Sequence, residues 1–561
     1  MLNRTNYIQK SLEFLDSVQF EKVGKDPTAE FQKKVQNSLR SMKKAFDEKT
    51  YKKLYPSGSQ PGLYFGLAKI HKVPDNSTDV CELPLRPVVS NIGTATYNVS
   101  KYLANELFPL TKNRYTIEST KDFINKIRGN IIGENEKLVS FDVASLFTNV
   151  PLDFTIYLIL NKIYRDKSIK TKLKENQFRE LLQLCTKNMH FLFNGNIYRQ
   201  VDGVAMGSPL GPVLANIFMA HLESSLVPSL SEVMSLWYRY VDDTITFIQE
   251  NKIEEVIEIL NNFHPSIRFT YEKEKEGCIT FLDVKLVRKT DGNFITEVHR
   301  KKTDTNIYLH WKAYAPDVWK IGTLKGLFRR AFVICSEEEG LNNELNHLKE
   351  VFAKVNGYPF KVINKTLKNV EQKMRVESVP VVNQPNSGMD ILEQVSTENV
   401  IHPYMVLPYK GHLGNQVLKG FRNKVFDILP TTVSPRITFK GRNLGSFFPT
   451  KDKVKKEHRS NIVYEYTCDD TSGCNPLENY IGETGVRFEA RSEQHTRTDK
   501  QSAVYRHSNR QDHSVAFSNF NVLSSGFNNV HNRKIAEALW IKDKKPSLNE
   551  QKFSYKLALF N

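Results

Sequence analysis

Three aspartates carry the chemistry most readily read from this chain. Asp242 and Asp243 stand side by side in Tyr240-Val241-Asp242-Asp243, between the apolar runs Leu236-Trp237-Tyr238 and Thr244-Ile245-Thr246-Phe247. That pattern predicts two short strands meeting at a tight turn with adjacent carboxylates at its tip. Neighbouring carboxylates that are even half-buried are costly unless a cation neutralises them, whereas on an open surface the same pair is an ordinary solvated turn. Asp142 follows the strand-like run Leu138-Val139-Ser140-Phe141. Between the two acidic positions lies a glycine- and proline-rich loop, Gly203-Val204-Ala205-Met206-Gly207-Ser208-Pro209-Leu210-Gly211-Pro212, which leads into a helix-like stretch from Leu214 to Leu222. A second group is softer: Cys468 and Cys474 in a C-x5-C spacing, then His507 and His513. Two thiolates and two imidazoles suit one tetrahedral Zn²⁺, and unmetallated surface residues are the alternative. Cys81, Cys185, Cys278 and Cys335 have no such partners and are expected to be buried thiols.

A carboxylate after a strand, a Gly-rich loop into a helix, then a carboxylate pair on a hairpin resembles motifs A, B and C of reverse transcriptases. Joining a 3′-hydroxyl to an α-phosphate uses two Mg²⁺ ions, which favour hard oxygen ligands. The resemblance implies that Asp142 and Asp242 bridge the metals, that Asp243 supports them, and that the Val143 carbonyl adds a ligand. It places Phe147, five residues after Asp142, beneath the nucleotide sugar, where an aromatic ring would exclude a 2′-hydroxyl and select dNTPs. A core phenylalanine is the plainer reading. Met206 stands where the family often has Gln before the loop glycine, so Met206 and Gly207 would offer template or dNTP an apolar contact. Upstream, Tyr64 to Lys72 and Leu85 to Ser90 look like finger strands, with Lys69 and Arg86 holding the triphosphate as point charge and bidentate fork. Outside that context both are solvated cations. Thr280-Phe281-Leu282-Asp283-Val284 looks like the primer-grip hairpin, and Trp311 to Ala331, with Lys325, Arg329 and Arg330, like a thumb helix lying on the duplex.

Near the carboxyl end, Ile462-Val463-Tyr464 and Tyr480-Ile481-Gly482 resemble the two strands that name GIY-YIG endonucleases, with Ile462 in place of the first glycine. Arg491, His495, Glu537 and Asn549 follow in the family's order. The resemblance implies that Glu537 binds one Mg²⁺, that Arg491 neutralises the phosphate and that His495 assists proton transfer. Tyr464 or Tyr480 would act as the base or position it, and which of them is deprotonated stays open. Ordinary strand packing for the tyrosines and a solvated helix carboxylate for Glu537 are the alternatives. A Cys-Cys-His-His insert is a property of the nuclease of one retroelement group, which supports a structural Zn²⁺ at Cys468, Cys474, His507 and His513.

Positioning these residues calls for several compact units, as expected for 561 residues. Residues 1–54 are predicted as a helical, basic region with apolar spacing at Phe31, Val35, Leu39 and Met42. Residues 55–300 alternate apolar runs with turns and helices and form the fingers and palm, 301–375 the thumb, and 376–460 a linker and basic connector. Within that connector Lys410 to Ser460 holds 12 Lys/Arg against 3 Asp/Glu, a net of +9. Residues 461–561 form the nuclease with its zinc insert. The fold class expected is thus α+β multidomain: a right-hand reverse transcriptase followed by a small α/β GIY-YIG domain. Lys+Arg 79 against Asp+Glu 62 gives a net charge of +17, which calls for a polyanionic partner. With 40% hydrophobic and 25% charged residues the chain is not a disordered or fibrous protein. No run of 18 apolar residues predicts a membrane span. The start, MLNRTNYIQK, lacks a secretory h-region, and six cysteines are no disulfide framework, so an intracellular setting is expected.

Polymerase first and GIY-YIG nuclease last is the arrangement of Penelope-like retroelements, whose polymerase is akin to telomerase. The resemblance implies an RNA-directed DNA polymerase whose tethered nuclease nicks target DNA and frees a 3′-hydroxyl to prime copying of element RNA. Its partners would be that RNA, target DNA, the RNA–DNA hybrid and dNTPs. Nuclear action would follow, with Lys451 to Lys456 as an import signal. A telomerase-like enzyme extending existing ends and a non-catalytic nucleic-acid-binding derivative are the alternatives.

Overall fold

The computed structural model describes residues 3–17, 20–69, 84–187, 189–201, 203–378, 404–409, 411, 420, 436–441, 451–468, 478–511, 515–527 and 529–550. Two sheets organise the amino-terminal half. The first is five-stranded, made of β1 (Phe20–Val23), β2 (Gly62–Ala68), β3 (Leu85–Ser90), β5 (His190–Phe193) and β6 (Asn196–Gln200), in the order β1-β6-β5-β2-β3. The second is four-stranded: β4 (Glu136–Val143), β7 (Met234–Tyr240), β8 (Asp243–Gln249) and β9 (Phe269–Lys273), in the order β7-β8-β4-β9.

The inner strands β4 and β8 are covered on both faces, so buried residues follow one another along them, Leu138 and Val139 in β4 and Thr244 to Ile248 in β8, rather than strictly alternating. Val139 and Phe141 of β4 face the large helical core, whereas Leu138 packs with Ile245 and Phe247 of β8 in a second cluster. Helix Gly211–Leu226 is apolar on nearly all sides, the mark of a core helix. Among the described residues, Gly211–Leu230 is the single stretch long and apolar enough to cross a bilayer, with mean hydropathy 1.2. Its window is 61% buried in the fold. The amino-terminal segment shares this framework: β1 pairs with β6, and Val35, Leu39 and Met42 of the first apolar stripe lie in the main core.

Strands β10 (Cys278–Phe281), β11 (Val284–Arg288) and β12 (Phe294–Val298) form a small antiparallel sheet beside the second one. A three-helix unit with its own core follows: Asp317–Ile334, Glu338–Glu350 and Phe360–Ser378, packed through Leu324, Phe328, Leu345, Phe352 and Ile363. The helix predicted from Trp311 instead begins at Asp317. Pro316 lacks an N–H and disfavours helical backbone at Ala315, so the helix starts only after it, with Asp317 on its positive end. The last helix of this unit runs to Ser378. Of the expected linker and connector, residues 379–403, 410, 412–419, 421–435 and 442–450 lie outside the described residues, while β13 (Tyr404–Pro408) and β14 (Arg436–Lys440) pair in parallel.

The carboxy-terminal unit is a three-stranded sheet of β15 (Ile462–Thr467), β16 (Asn479–Thr484) and β17 (Phe520–Ser524), in the order β16-β15-β17, with helices Phe488–Glu493 and Val530–Lys544. Polar stitches tie it to the amino-terminal part. Ser460 Oγ donates to the Gly58 carbonyl at 2.5 Å, and Arg487 donates to the Ser59 carbonyl at 3.2 Å and to the Asp26 carboxylate at 3.3 Å.

Candidate active sites

Strand pairing assembles the first site. Strands β4 and β8 run antiparallel with Asp142 directly opposite Asp243, and Tyr240 pairs with Asp243 across the β7–β8 hairpin. This leaves Val241 and Asp242 as a two-residue loop. Val241 has φ +59°, and Asp242 is not in the left-handed region. A positive φ at the first loop residue alone is the type II′ pattern, which favours glycine. A β-branched residue there stores roughly 1–3 kcal/mol of strain, a cost tolerated mainly where the surroundings impose it.

The three carboxylates therefore share one end of the sheet. Protein packed around Asp243 strips part of its hydration, and the charges of Asp242 and Asp142 add to this. Together they push the Asp243 carboxyl up to about 6, with Lys301 opposing the rise. A surplus of negative charge among hard oxygen donors fits a divalent cation such as Mg²⁺. Val143, the last residue of β4, is buried next to Asp142. Lys301 is missing from the sequence reading; its only signal is the basic run His299-Arg300-Lys301-Lys302 just after β12.

The Gly-rich loop is clamped between two elements. Val204 donates its N–H to the Phe147 carbonyl at 2.8 Å, and the Met206 carbonyl accepts from Val89 of β3 at 2.7 Å. Gly207 has φ +120°, and a Cβ there would lie 2.3 Å from the Val89 carbonyl oxygen, so only glycine fits. Phe147, half-buried against the main core, also faces Gly211, whose added Cβ would meet its ring at 3.8 Å. The loop thus lies between β3, which it meets at Met206 and Gly207, and Phe147, which it meets at Val204 and Gly211. Arg86 sits on that strand three residues before Val89, exposed, so about 10 Å along it at strand rise. Lys69 follows β2 at the same end of the β2–β3 hairpin, where its N–H donates to the Pro84 carbonyl at 2.9 Å. The expected finger strand beyond Lys69 lies outside the described residues.

The second site is in the carboxy-terminal unit. Tyr464 of β15 sits opposite Gly482 of β16, and Tyr466 opposite Tyr480. An added Cβ on Gly482 would lie 2.7 Å from the Tyr464 hydroxyl, so the missing side chain is what lets the phenol cross the strand. Tyr464, fully buried, donates its O–H toward His495 Nε2 at 2.6 Å and accepts from Arg491 Nε at 3.1 Å. Burial, reinforced by the Arg491 charge, pushes His495 down to about 3, so the ring is neutral and its Nε2 accepts. Its Nδ1 is hydrogen-bonded to Ser502, a partner absent from the sequence reading because a lone serine seven residues on carries no signal.

Burial, then the neighbouring Tyr480, raises the Tyr464 phenol far above its ordinary range; Tyr480, only half-buried, is raised as well, chiefly by burial. Glu537, buried on helix Val530–Lys544, lies near enough to contribute to both shifts. Asn549 is committed elsewhere: its side-chain amide accepts from the Ile481 N–H and donates to the Ile481 carbonyl, both at 2.8 Å, clipping β16. Of the sulfur and imidazole residues, Cys468 is buried in the β15 core and His507 Nδ1 lies 3.1 Å from Glu478. Cys474 and His513 fall outside the described residues; among the described residues no three His, Cys, Asp or Glu side chains stand close enough together to hold a metal ion, and this includes Asp142, Asp242 and Asp243, which share an end of the sheet without converging on one point.

Residues 307–368, most of the three-helix unit, match the animal helix-turn-helix domain family. No curated protein matches the chain. Among solved structures it is similar to telomerase from Candida albicans in complex with a TWJ fragment of telomeric RNA, at 12% identity and TM-score 0.39 over 64% of this chain and 67% of that one. Apo telomerase from Candida tropicalis is similar at 11% identity and TM-score 0.36, covering 63% and 65% of the two chains. The Sicinivirus 3Dpol RNA-dependent RNA polymerase gives 11% identity and TM-score 0.36, covering 58% and 71%. Residues 85–294, which hold Asp142, the Gly-rich loop and the aspartate hairpin, match the reverse transcriptase family and are a reverse transcriptase (RNA-dependent DNA polymerase) domain.

Proposed function

We propose that this chain is an RNA-directed DNA polymerase with a tethered DNA endonuclease, resembling those of Penelope-like retroelements. The nuclease nicks target DNA in the nucleus, and the freed 3′-hydroxyl primes copying of the element's RNA. The observation that carries the polymerase reading is the register that sets Asp142 against Asp243, with Asp242 at the adjoining turn. Asp142 and Asp242 hold two Mg²⁺, with Asp243 and the Val143 carbonyl in support. When bound, these ions lower the pKa of the primer hydroxyl and balance charge on the leaving pyrophosphate. Phe147 and the Met206–Gly207 loop form the nucleotide's sugar and base contacts, and Lys69 and Arg86 hold its phosphates. Primer extension on an RNA template with purified protein tests this. Incorporation should require Mg²⁺ and vanish in Asp142→Ala; extension surviving that substitution removes the polymerase assignment.

The nuclease reading rests on the hydrogen-bonded set Ser502–His495–Tyr464–Arg491 with Glu537 and Tyr480 beside it. Arg491 neutralises the scissile phosphate and Glu537 holds one Mg²⁺. Tyr464 or Tyr480 acts as the base toward the attacking water or positions it, and neutral His495, hydrogen-bonded to Tyr464, assists proton transfer. Asn549 supports the site by fixing β16. Glu537→Gln should abolish nicking of supercoiled plasmid while leaving extension of a pre-annealed primer unchanged. In a reaction holding protein, RNA template and labelled duplex, cDNA joined covalently to the nicked strand is the product expected of the coupled pathway. One structural Zn²⁺ held by Cys468, Cys474, His507 and His513 completes the proposal. Cys468→Ser should lose one equivalent of zinc by metal analysis.

A further inference from the structure

Behind the aspartate turn lies a buried ion pair that no metal-binding role explains. Arg239, next to last in β7, and Glu223, on helix Gly211–Leu226, are both fully buried and joined at 2.5 Å through Arg239 Nε. The Arg239 fork also reaches Glu223 Oε2 at 3.2 Å, Asn216 Oδ1 of the same helix at 2.7 Å, and the carbonyl of Val241 at 3.0 Å. Glu223 in turn accepts from Trp237 Nε1 at 3.2 Å and from Asn113 Nδ2 at 2.7 Å. Asn113 holds the 113–116 turn through the Tyr115 amide and the Thr116 hydroxyl, and that turn exchanges backbone hydrogen bonds with Arg239. One guanidinium therefore joins three elements: the turn before the palm strands, the helix that the Gly-rich loop begins, and the strained peptide immediately ahead of Asp242.

We propose that Arg239 is a positioning residue for the polymerase reaction: it pulls the Val241 carbonyl inward, holds Val241 at positive φ, and so aims Asp242 and Asp243 at the metal site. The physical case has two parts. A buried pair is weak evidence of stabilisation, since apolar replacements of similar size often fold as well, so its presence directly under a functional turn calls for another reason. A β-branched residue at a glycine-type turn position reverts unless something holds it, and the Val241 carbonyl is held by the Arg239 fork. Glu223 and Asn216 occupy the rest of the fork, so the helix that carries the Gly-rich loop and the hairpin that carries the carboxylates move as one piece. This inference rests on reading Asp242 and Asp243 as the polymerase carboxylates.

Two variants test it beside Asp242→Ala, all as full-length protein on an RNA template with annealed DNA primer. Arg239→Lys keeps the charge but not the fork. The double variant Arg239→Met/Glu223→Gln removes the charges together, retains an acceptor for Trp237 and Asn113, and leaves no uncompensated ion. Both should extend primers on the order of 100-fold more slowly. The Mg²⁺ concentration at half-maximal rate should rise about tenfold, as for supports of metal ligands, with template–primer affinity within about twofold of the parent. The double variant should melt near the parent temperature. Parental rates and parental Mg²⁺ dependence in the double variant would overturn the inference. So would a slowed double variant whose defect lies entirely in template–primer affinity. Activity retained by Asp242→Ala would instead overturn the polymerase reading itself; an inactive Asp242→Ala beside a fully active double variant would spare that reading and sink only the role of Arg239.

Discussion

Asp243 shows what assembling three carboxylates costs. Although Asp243 lies at the exposed end of β8, the protein packed around it and then the charges of Asp242 and Asp142 oppose ionisation and push its carboxyl up to about 6. A folded-state pKa above the unfolded one favours folding at low pH, and that advantage fades as pH rises from about 4 to about 6. Metal-free protein should therefore lose thermal stability across that window, and Asp243→Asn should melt higher than the parent at pH 7 without Mg²⁺, measured by calorimetry. Divalent ions reverse the balance by binding the ionised form. The Mg²⁺ needed for half-maximal rate should rise as pH falls below 6, and a flat profile there would contradict the crowded-carboxylate account. Phe147 gives a second test at this scale: Phe147→Ala should admit ribonucleotides that the parent rejects, read as incorporation of each nucleotide class on one template.

Single elements owe their shape to a few residues that forbid alternatives. Gly207 lies at φ +120° with the Val89 carbonyl where its Cβ would be. Gly207→Ala should cost more than about 1 kcal/mol of stability, since the new side chain meets backbone rather than a movable side chain. It should also raise KM for the nucleotide by pushing the loop from β3, measured in the same extension assay. Gly482 works by absence rather than by dihedral: the Tyr464 phenol passes where its side chain would be, so Gly482→Ala should displace Tyr464 from His495 and lower nicking with extension unaffected. Pro316 acts in the opposite sense, delaying the helix that begins at Asp317.

On the scale of the whole molecule, the carboxy-terminal unit is stitched to the amino-terminal third. Gly58 approaches Gly485 so closely that an added Cβ would lie 2.3 Å from the Gly485 carbonyl oxygen, and Asp26 accepts from Arg487. Burial alone would raise the Asp26 carboxyl, but hydrogen bonds from Thr28 and then Arg487 hold it below the usual range. A lowered carboxyl contributes stability above its unfolded pKa of about 4 that is lost as pH falls below it. Arg487→Ala should therefore loosen the docking at neutral pH, seen as faster hydrogen exchange in residues 451–460 and around Gly58, while acid should do so in the parent.

The turn carboxylates, the helix after the Gly-rich loop and the two tyrosine strands are legible from residue order because each is a local pattern: alternation, a turn dipeptide, a glycine where backbone must bend. Partnership across the fold is different. Asp142 and Asp243 are a hundred residues apart and meet only through the β4–β8 register, which is chosen by how both faces of the sheet are covered. Arg239 beneath Val241, Lys301 beside Asp243, Ser502 behind His495 and Arg487 on Asp26 carry no spacing that would single them out. Sequence by itself determined which side chains could bind metal and phosphate and on what kind of element each would sit. Tertiary structure alone decided which of them meet, because contact between distant segments is set by the packing of whole layers rather than by any local preference.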